Sequence, residues 1–564
     1  MKKIFLLAAL LVLSTSAFAQ KLSENQAADF ASMFFSASPG TSAVGGGDDV
    51  KLVMTGGSKA DPAFYVFNHN GGGFVIVGSD TRFEPVLGYS YENSFCAENM
   101  PANVAYWMDL IAQGAANQPA VKASYGQSVH KVIKYLNTAK WDQDAPYNNL
   151  CPDLDGRGRS VTGCTNTATA TIMYYHKWPE AGHGDLPDYS YTVWGTNRHF
   201  SIPGHSLGHP YQWDKMLYSY SAGRYTEEEG MAVATLMYDV GVMNQAQYDI
   251  SSSSGTGTEV VISRTLPQYM DYDGGTIRDV ERSWLSDAEW CRMLKKEIDE
   301  NRPVMYCNDE HAFVLDGYDS ADYFAINFGW SGMADGYYPV SIHNFTRNDN
   351  LHFVSDTRTN MVVIGIQPKR GSTTKMRDFM LYNASYSDID ALRLGSEVNC
   401  SIQFGPLKGT FSGDVTVAIV DKDKNIKKII GNTYTVGSTI SEGRSARASI
   451  KCKIDPSVMK ATDFIAVCYK YTGDSDWSVS TNHLVSAIPS RFIPVKSSYR
   501  AGDSFEFRLT EGADYYNVVF YLDDKIVDKG ADTTLKSGAH TVKAVVYSDK
   551  NTIECTIVQE ITVK

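Results

Sequence analysis

The sequence predicts an α+β protein of several domains, on three observations. A chain of 564 residues is about four times the roughly 150-residue domain prior. Helix-type and strand-type patterns are mixed up to about residue 368, and beyond it short β-type runs divided by turns take over. Hydrophobic residues at 43%, aromatics at 12% and charged residues at 20% supply more than one core and exclude a disordered or collagen-like chain. With 51 basic against 64 acidic side chains the net charge is −13, the reverse of the footprint that binds a phosphate backbone or an anionic lipid surface. Neither nucleic acid nor membrane insertion is therefore expected.

The first element, residues 1–19, carries Lys2 and Lys3, an apolar run from Ile4 to Leu13, and Ala17-Phe18-Ala19 ahead of Gln20. That is the pattern of a Sec signal peptide, and ten apolar residues fall short of the roughly 20 that cross a bilayer. The expected location is secreted, periplasmic or cell-surface. Residues 20–138 form the second element. In it FASMFFSA from Phe30 reads as amphipathic helix, Phe64–Phe67 and Gly73–Val77 as strands, and a helical pattern resumes near Pro101 with Val104, Trp107, Met108 and Ile111 on one face. The third, 139–368, is rich in Trp and Tyr. Strand spacing with little helical periodicity makes 369–488 a β-sandwich, Ig-like module and 489–564 a second one, divided near Ile488-Pro489-Ser490.

Nine cysteines without a C-x-x-C fit neither a small disulfide scaffold nor a zinc ribbon. Their odd number leaves at least one thiol free in an oxidising compartment. Cys400, Cys452 and Cys468 fall on predicted strands, where one pair could bridge.

No G-x-S-x-G elbow, H-E-x-x-H pair or Walker loop occurs. His199, His205 and His209 crowd together, but Gly204, Gly208 and Pro210 break any helix that would align the last two, so they read as loop histidines and not a metal site. Asp153-Leu154-Asp155-Gly156 and Asp271-Tyr272-Asp273-Gly274 lack the closing glutamate of a calcium loop and read as polar turns. No metal and no cofactor is expected.

What remains is Thr162-Gly163-Cys164 followed by TNTATATIMYYHKWP. A thiol is a poor nucleophile until ionised, and the unpaired N–H groups of a helix's first turn stabilise its thiolate. The alternating threonines suit a strand as well as a helix, but Ala168, Ile172 and Tyr175 share a helical face and Pro179 ends the run. Cys164 taken singly could equally be a small buried residue. Its candidate partner, His311, lies 147 residues on and opens the apolar run AFVLDG; Asn327-Phe328-Gly329-Trp330 begins sixteen residues later. An imidazole that trades a proton with a thiol needs its second nitrogen held by an acceptor and its ring screened from water, tasks that suit Asn327 and Trp330. The order Cys, His, Asn at this spacing is the papain-type arrangement.

Together these boxes resemble the streptopain family of secreted bacterial cysteine proteases, peptidase family C10, over about 350 residues. Trp141-Asp142-Gln143-Asp144-Ala145-Pro146-Tyr147-Asn148 is similar to its W-x-Q-x-x-P-Y-N stretch, Thr162-Gly163-Cys164 to its T-G-C box, His311–Gly317 to its histidine strand and Asn327–Gly336 to its N-W-G-W-x-G-x-x-D-G segment. Gly73–Val77 with Arg82–Ser90 resembles the family's inhibitory prosegment. The resemblance implies a papain-like catalytic domain over 139–368, preceded by an α+β inhibitory propeptide over 20–138. It implies a zymogen whose partners are protein or peptide substrates and its own propeptide, acting as intramolecular inhibitor and cut between about Asn117 and Ala139. By the same resemblance Cys164 is the nucleophile and His311 the general base and later acid. The Gln143 amide and the Cys164 N–H form the oxyanion hole, and Asn327 and Trp330 orient and shield the imidazole.

The sequence departs from the family in three places. Phe328 replaces its first Trp, Asn308-Asp309-Glu310 replaces glycines ahead of the histidine, and Gln247–Ile250 with Ser251–Gly257 matches its substrate-cleft loop poorly. Specificity therefore does not transfer. A catalytically inactive adhesin or inhibitor on the same fold, and an amidase or transglutaminase using the same acyl chemistry, are the alternatives. Nothing in 369–564 identifies the surface ligand that such modules can carry.

Overall fold

The computed structural model describes residues 21–37, 49–58, 61–79, 85–98, 130–248 apart from 155, 157, 194, 195 and 222, 260–307 apart from 286, 311–340 and 360–371. It also describes most of 376–486, parts of 500–547, 553–563 and single positions within 100–112. The signal segment 1–19, residues 82–84, 113–129, 249–259, 308–310 and 488–490 lie outside the described residues. The chain divides into two compact units, one of residues 1–283 with 291–374, the other of 284–290 with 375–564.

In the first unit, helix α1 (Glu24–Ala37) opens with a reciprocal cap. The Gln26 side chain accepts from Ser23 N at 2.9 Å, and Ser23 Oγ accepts from Gln26 N at 3.4 Å. Its buried residues Ala27, Ala31, Phe34 and Phe35 recur at helical spacing. The short apolar runs that follow give β1 (Val50–Ser58), β2 (Asp61–His69), β3 (Phe74–Gly78) and β4 (Val86–Ser90), the last two buried throughout. Val104 and Met108 are buried on helical backbone, and their predicted partners Trp107 and Ile111 fall outside the described residues. After β5 (Val132–Tyr135) come α2 (Cys164–His176), the hairpin β6 (Tyr189–Thr192) and β7 (His199–Ile202), α3 (Glu227–Met243) and α4 (Val260–Tyr269). Last come β8 (Arg278–Glu281), β9 (Val304–Cys307), β10 (Ala312–Asp319), β11 (Tyr323–Asn327), β12 (Gly336–Pro339) and β13 (Met361–Ile364).

Apart from the separate hairpin β6–β7, these strands form one antiparallel sheet of eleven, in the order β1-β2-β3-β4-β12-β11-β10-β9-β13-β8, with β5 paired to β10. All eight residues of β10 are buried. The join between β4 and β12 places Tyr89 opposite Tyr337, with their rings stacked at 5.0 Å. One hydrophobic core runs across that join, combining Phe34, Phe35, Tyr65, Phe67, Val75 and Val77 with Tyr323, Ala325 and Tyr337. A second core gathers α2, α3 and α4 beside β9, β10 and β13.

In the second unit Asp378–Tyr386, Glu397–Lys408 and Ala446–Lys453 make a three-stranded sheet. Gly413–Val420 and Phe464–Tyr471 lead a six-stranded one. Cys400, Ile402, Phe404 and Ile450 of the first share a core with Val415, Val417, Ile419, Ile465 and Val467 of the second. Burial alternates along Glu397–Ile402 with the period of two that a half-buried strand requires. Residues 517–563 contribute a four-stranded antiparallel sheet. Cys400, Cys452 and Cys468 are free thiols, so the bridge considered for that trio is not formed.

Candidate active site

Cys164 is the first residue of α2, and Gly163 ahead of it sits at φ 87°, ψ 142°, a conformation natural only to glycine. The threonine-rich run behind it is helical because every residue from Thr165 to Met173 is buried, and tertiary packing outweighs the weak β-branched propensity. Its polar groups are answered locally. Thr169 Oγ1 donates to the Thr165 carbonyl at 2.7 Å, the Thr162 and Thr167 hydroxyls pair at 2.7 Å, and Asn166 Nδ2 donates to the Thr162 carbonyl at 2.9 Å. Lys177, left-handed at φ 50°, closes the helix two residues before Pro179.

His311 is buried at the mouth of β10 and its side chain hydrogen-bonds the Cys164 thiol. Its Nε2 lies 2.9 Å from the Phe328 carbonyl. A carbonyl can only accept, so Nε2 carries a proton and Nδ1 is left to exchange the other with sulfur. Burial opposes ionisation of Cys164. The charge and hydrogen bond of His311, with the N–H groups of Ala312 and Thr165, outweigh it and bring the thiol down to about 7. The Trp330 ring stacks on the imidazole at 6.4 Å and 18°. Phe328 is buried against Phe313 at 5.7 Å and Tyr338 at 5.8 Å, and the rings stacked on the imidazole are Trp330 and, at 6.2 Å and 26°, Phe313.

Gln143 is buried on the segment before α2, and its carbonyl accepts from Thr162 N at 3.1 Å, two residues from the thiol. Its Oε1 is buried without a hydrogen-bond partner. Cys164, His311 and Trp330 thus meet directly, while Gln143 is joined to them through the backbone at Thr162.

Asn327 differs from the expectation. Its Nδ2 donates to Thr138 Oγ1 at 2.9 Å and to the Ala139 carbonyl at 2.8 Å, and its Oδ1 accepts from Gly329 N at 3.1 Å. The acceptor on the imidazole is the Phe328 backbone, and Asn327 fastens the chain that presents it.

Beneath that chain lies a charged network with no counterpart in the sequence reading. Asp335 accepts Phe328 N at 2.9 Å through Oδ1 and the Lys140 ammonium at 2.9 Å through Oδ2. Asp316 accepts both the N–H and the hydroxyl of Thr138, at 2.9 and 2.7 Å. Burial pushes Asp316 up to about 6 against the pull of Lys140 and Thr138. Burial alone would lower Lys140, but Asp335 and Asp316 hold it well above the ordinary lysine value. Periodicity marks these positions only as buried; their pairing is long-range.

The other histidines lie apart. His205 Nε2 is 2.8 Å from Asp239 Oδ1, and His209 Nε2 touches Oδ2 at 2.8 Å without hydrogen-bond alignment. Among the described residues no group of three or more His, Cys, Asp or Glu could hold a metal ion, and no helix is long and apolar enough to cross a membrane. Asp273 accepts the N–H of Gly275 at 2.9 Å within its own turn.

Residues 141–338 match the family model described as Peptidase C10 family, and residues 19–115 match that described as Spi protease inhibitor. Streptopain of Streptococcus pyogenes is 33% identical over 323 residues, which cover 53% of this chain and 79% of streptopain. The thiol protease/hemagglutinin PrtT of Porphyromonas gingivalis is 28% identical over 521 residues, 84% of this chain and 56% of PrtT. Among solved structures, a prointerpain A fragment of Prevotella intermedia is 28% identical at a TM-score of 0.44, covering 57% of this chain and all 100% of the fragment.

Proposed function

The chain belongs to the peptidase C10 family of cysteine-type endopeptidases, and from that premise we propose a secreted zymogen whose chemistry runs through Cys164 and His311. The Cys164 thiolate attacks the scissile carbonyl carbon, and the resulting oxyanion is met by the Gln143 carboxamide and the Cys164 N–H. As the C–N bond breaks, the imidazolium returns its proton to the leaving amine. His311 then takes a proton from water, hydroxide attacks the thioester, and the C–S bond breaks to release the acid. Each oxyanion donor is worth about 100- to 1,000-fold in rate.

The observation that carries this reading is the Cys164 thiol at the helix start, hydrogen-bonded to His311 and lowered to about 7. The N-terminal region similar to Spi protease inhibitor supplies the intramolecular inhibitor, and the signal-like residues 1–19 direct export. Protein and peptide substrates reach the groove after that region is cut away. The cut between propeptide and protease then falls after about Asn117 and ahead of β5, which pairs with the histidine strand, and 369–488 and 489–564 are two Ig-like modules open to a surface ligand. Fluorogenic peptide turnover by processed enzyme, blocked by a thiol alkylator and abolished in Cys164→Ala and His311→Ala, is the expected result. Turnover that survives either substitution overturns the assignment.

A further inference from the structure

We propose that Asp142 is a positioning residue that sets the spacing between the oxyanion donor and the indole covering the imidazole, an inference that rests on the Cys164/His311 reading. The two parts it joins come from distant chain segments. Gln143 stands on irregular backbone, where no helix or sheet ladder fixes it. On its far side the Gln143 carbonyl is tied to Thr162 N at 3.1 Å. On its near side the Gln143 N–H donates to Asp142 Oδ1 at 2.7 Å.

The second carboxylate oxygen reaches across the groove wall, where Asp142 Oδ2 accepts the Ser331 hydroxyl at 2.6 Å. Ser331 N donates in turn to the Trp141 carbonyl at 2.9 Å. Ser331 follows the indole-bearing Trp330 directly, and its φ of 54° lies between Gly329 at 75° and Gly332 at 85°. A serine in left-handed backbone between two left-handed glycines holds its place only if something anchors it. Its anchors are the Trp141 carbonyl and the same carboxylate that holds Gln143.

Charge is not what Asp142 contributes. A carboxylate next to the oxyanion donor opposes the negative charge that develops there, and Asp142 also helps raise its neighbour Asp144, after burial. Geometry is the remaining advantage: one short, two-oxygen acceptor fixes both loops at once. A displacement of about 1 Å in such a shell is enough to cost of the order of 100-fold in rate.

The test is a substitution series in the processed full chain, with Cys164 alkylation stoichiometry and thermal midpoint confirming folded enzyme. Asp142→Ala removes both hydrogen bonds, and kcat is expected to fall about 10- to 100-fold with KM within about threefold. Asp142→Asn keeps an acceptor for Gln143 N and gains a donor for Ser331 Oγ, and should restore kcat to within about fivefold of wild type. Ser331→Ala, which leaves Gln143 tethered, should lose only a few-fold. In a Gln143→Ala background Asp142→Ala should lose most of its effect, because the group it positions is gone. Additivity with Gln143→Ala, a loss confined to KM, or failure of Asn to rescue each overturns the proposal. Should Asp142→Ala not fold, Asp142→Asn and Ser331→Ala, each crossed with Gln143→Ala, decide it alone. Turnover surviving Cys164→Ala sinks the protease reading itself, whereas a dead Cys164→Ala beside an unimpaired Asp142→Ala sinks only this inference.

Discussion

At the scale of single residues the thiol is where acid–base chemistry is read most directly. A pKa brought down to about 7 means that thiolate is already half-formed at neutral pH, and the fraction rises with pH until it saturates near 8. The alkylation rate of Cys164 by iodoacetamide should therefore climb with a midpoint near 7. In His311→Ala the charge and hydrogen bond of the imidazole are lost while burial and the N–H groups of Ala312 and Thr165 stay, so the midpoint should move upward. A midpoint unchanged by that substitution contradicts the pairing. Asn327 invites the opposite expectation. Asn327→Ala strips partners from Thr138, Ala139 and Gly329, a loss on the order of 2–4 kcal/mol for buried groups. The denaturation midpoint should drop, yet the alkylation midpoint should stay near 7, because the acceptor on Nε2 is the Phe328 carbonyl. Cys164, His311 and Trp330 were legible because their residue types and order constrain the chemistry. The turn of Asn327 away from the ring was not, since an asparagine beside a histidine strand has the same appearance in sequence whichever way its amide points.

Secondary-structure elements were legible where one pattern was decisive and opaque where two competed. The threonines of α2 satisfy a strand pattern, and only the shared face and the terminal proline favour helix; complete burial of Thr165 to Met173 explains why helix prevails. Strands β2 and β3 show as short apolar runs divided by Asn/Gly turns, but β4 pairing with β12 joins residues some 250 positions apart, beyond the reach of any local signal. That join is where the N-terminal region grips the catalytic one, and Gly88 on β4 is a point of close approach in it. A Cβ added there would meet the Tyr338 ring at 2.6 and 2.7 Å. Tyr338 is buried, with its hydroxyl donating to the Ala334 carbonyl at 2.7 Å, so it cannot step aside. Gly88→Ala should loosen the N-terminal region without altering the residues that do chemistry. The precursor should mature faster than wild type, and the mature enzyme should show the same kcat and KM. Equal maturation rates, followed by N-terminal appearance on a gel, would remove β4 from the inhibitory contact.

Across the whole molecule the sheet passes without a break from the N-terminal strands into the catalytic ones, so the boundary between inhibitor and protease is a cut in the chain and not a gap in the fold. Its position can be bounded from which backbone is committed where. Lys131 and Ser320 exchange hydrogen bonds, Lys131 O accepting from Ser320 N at 2.9 Å and Ser320 Oγ accepting from Lys131 N at 3.1 Å. β5 pairs with β10 from Val132↔Asp319 to Tyr135↔Gly317, and Leu136 N donates to the Asp316 carbonyl at 2.6 Å. Thr138 is held by Asp316 and Asn327, at the foot of the network that carries Phe328. His130 itself is buried, with Nδ1 2.6 Å from Asp319 Oδ2. A protease cleaving at 131–138 would have to unzip this ladder, and the product would lose a strand next to the histidine strand. Cleavage ahead of His130 leaves all of it intact. A sequence-based boundary at 138 follows composition, which cannot register that Val132–Tyr135 is paired to the protease. The mature N-terminus, read by N-terminal sequencing and intact mass, is therefore expected at or before His130. A mature chain beginning between Val132 and Ala139 would mean that β5 is expendable, and that the strand order described for the precursor does not carry over to the active enzyme.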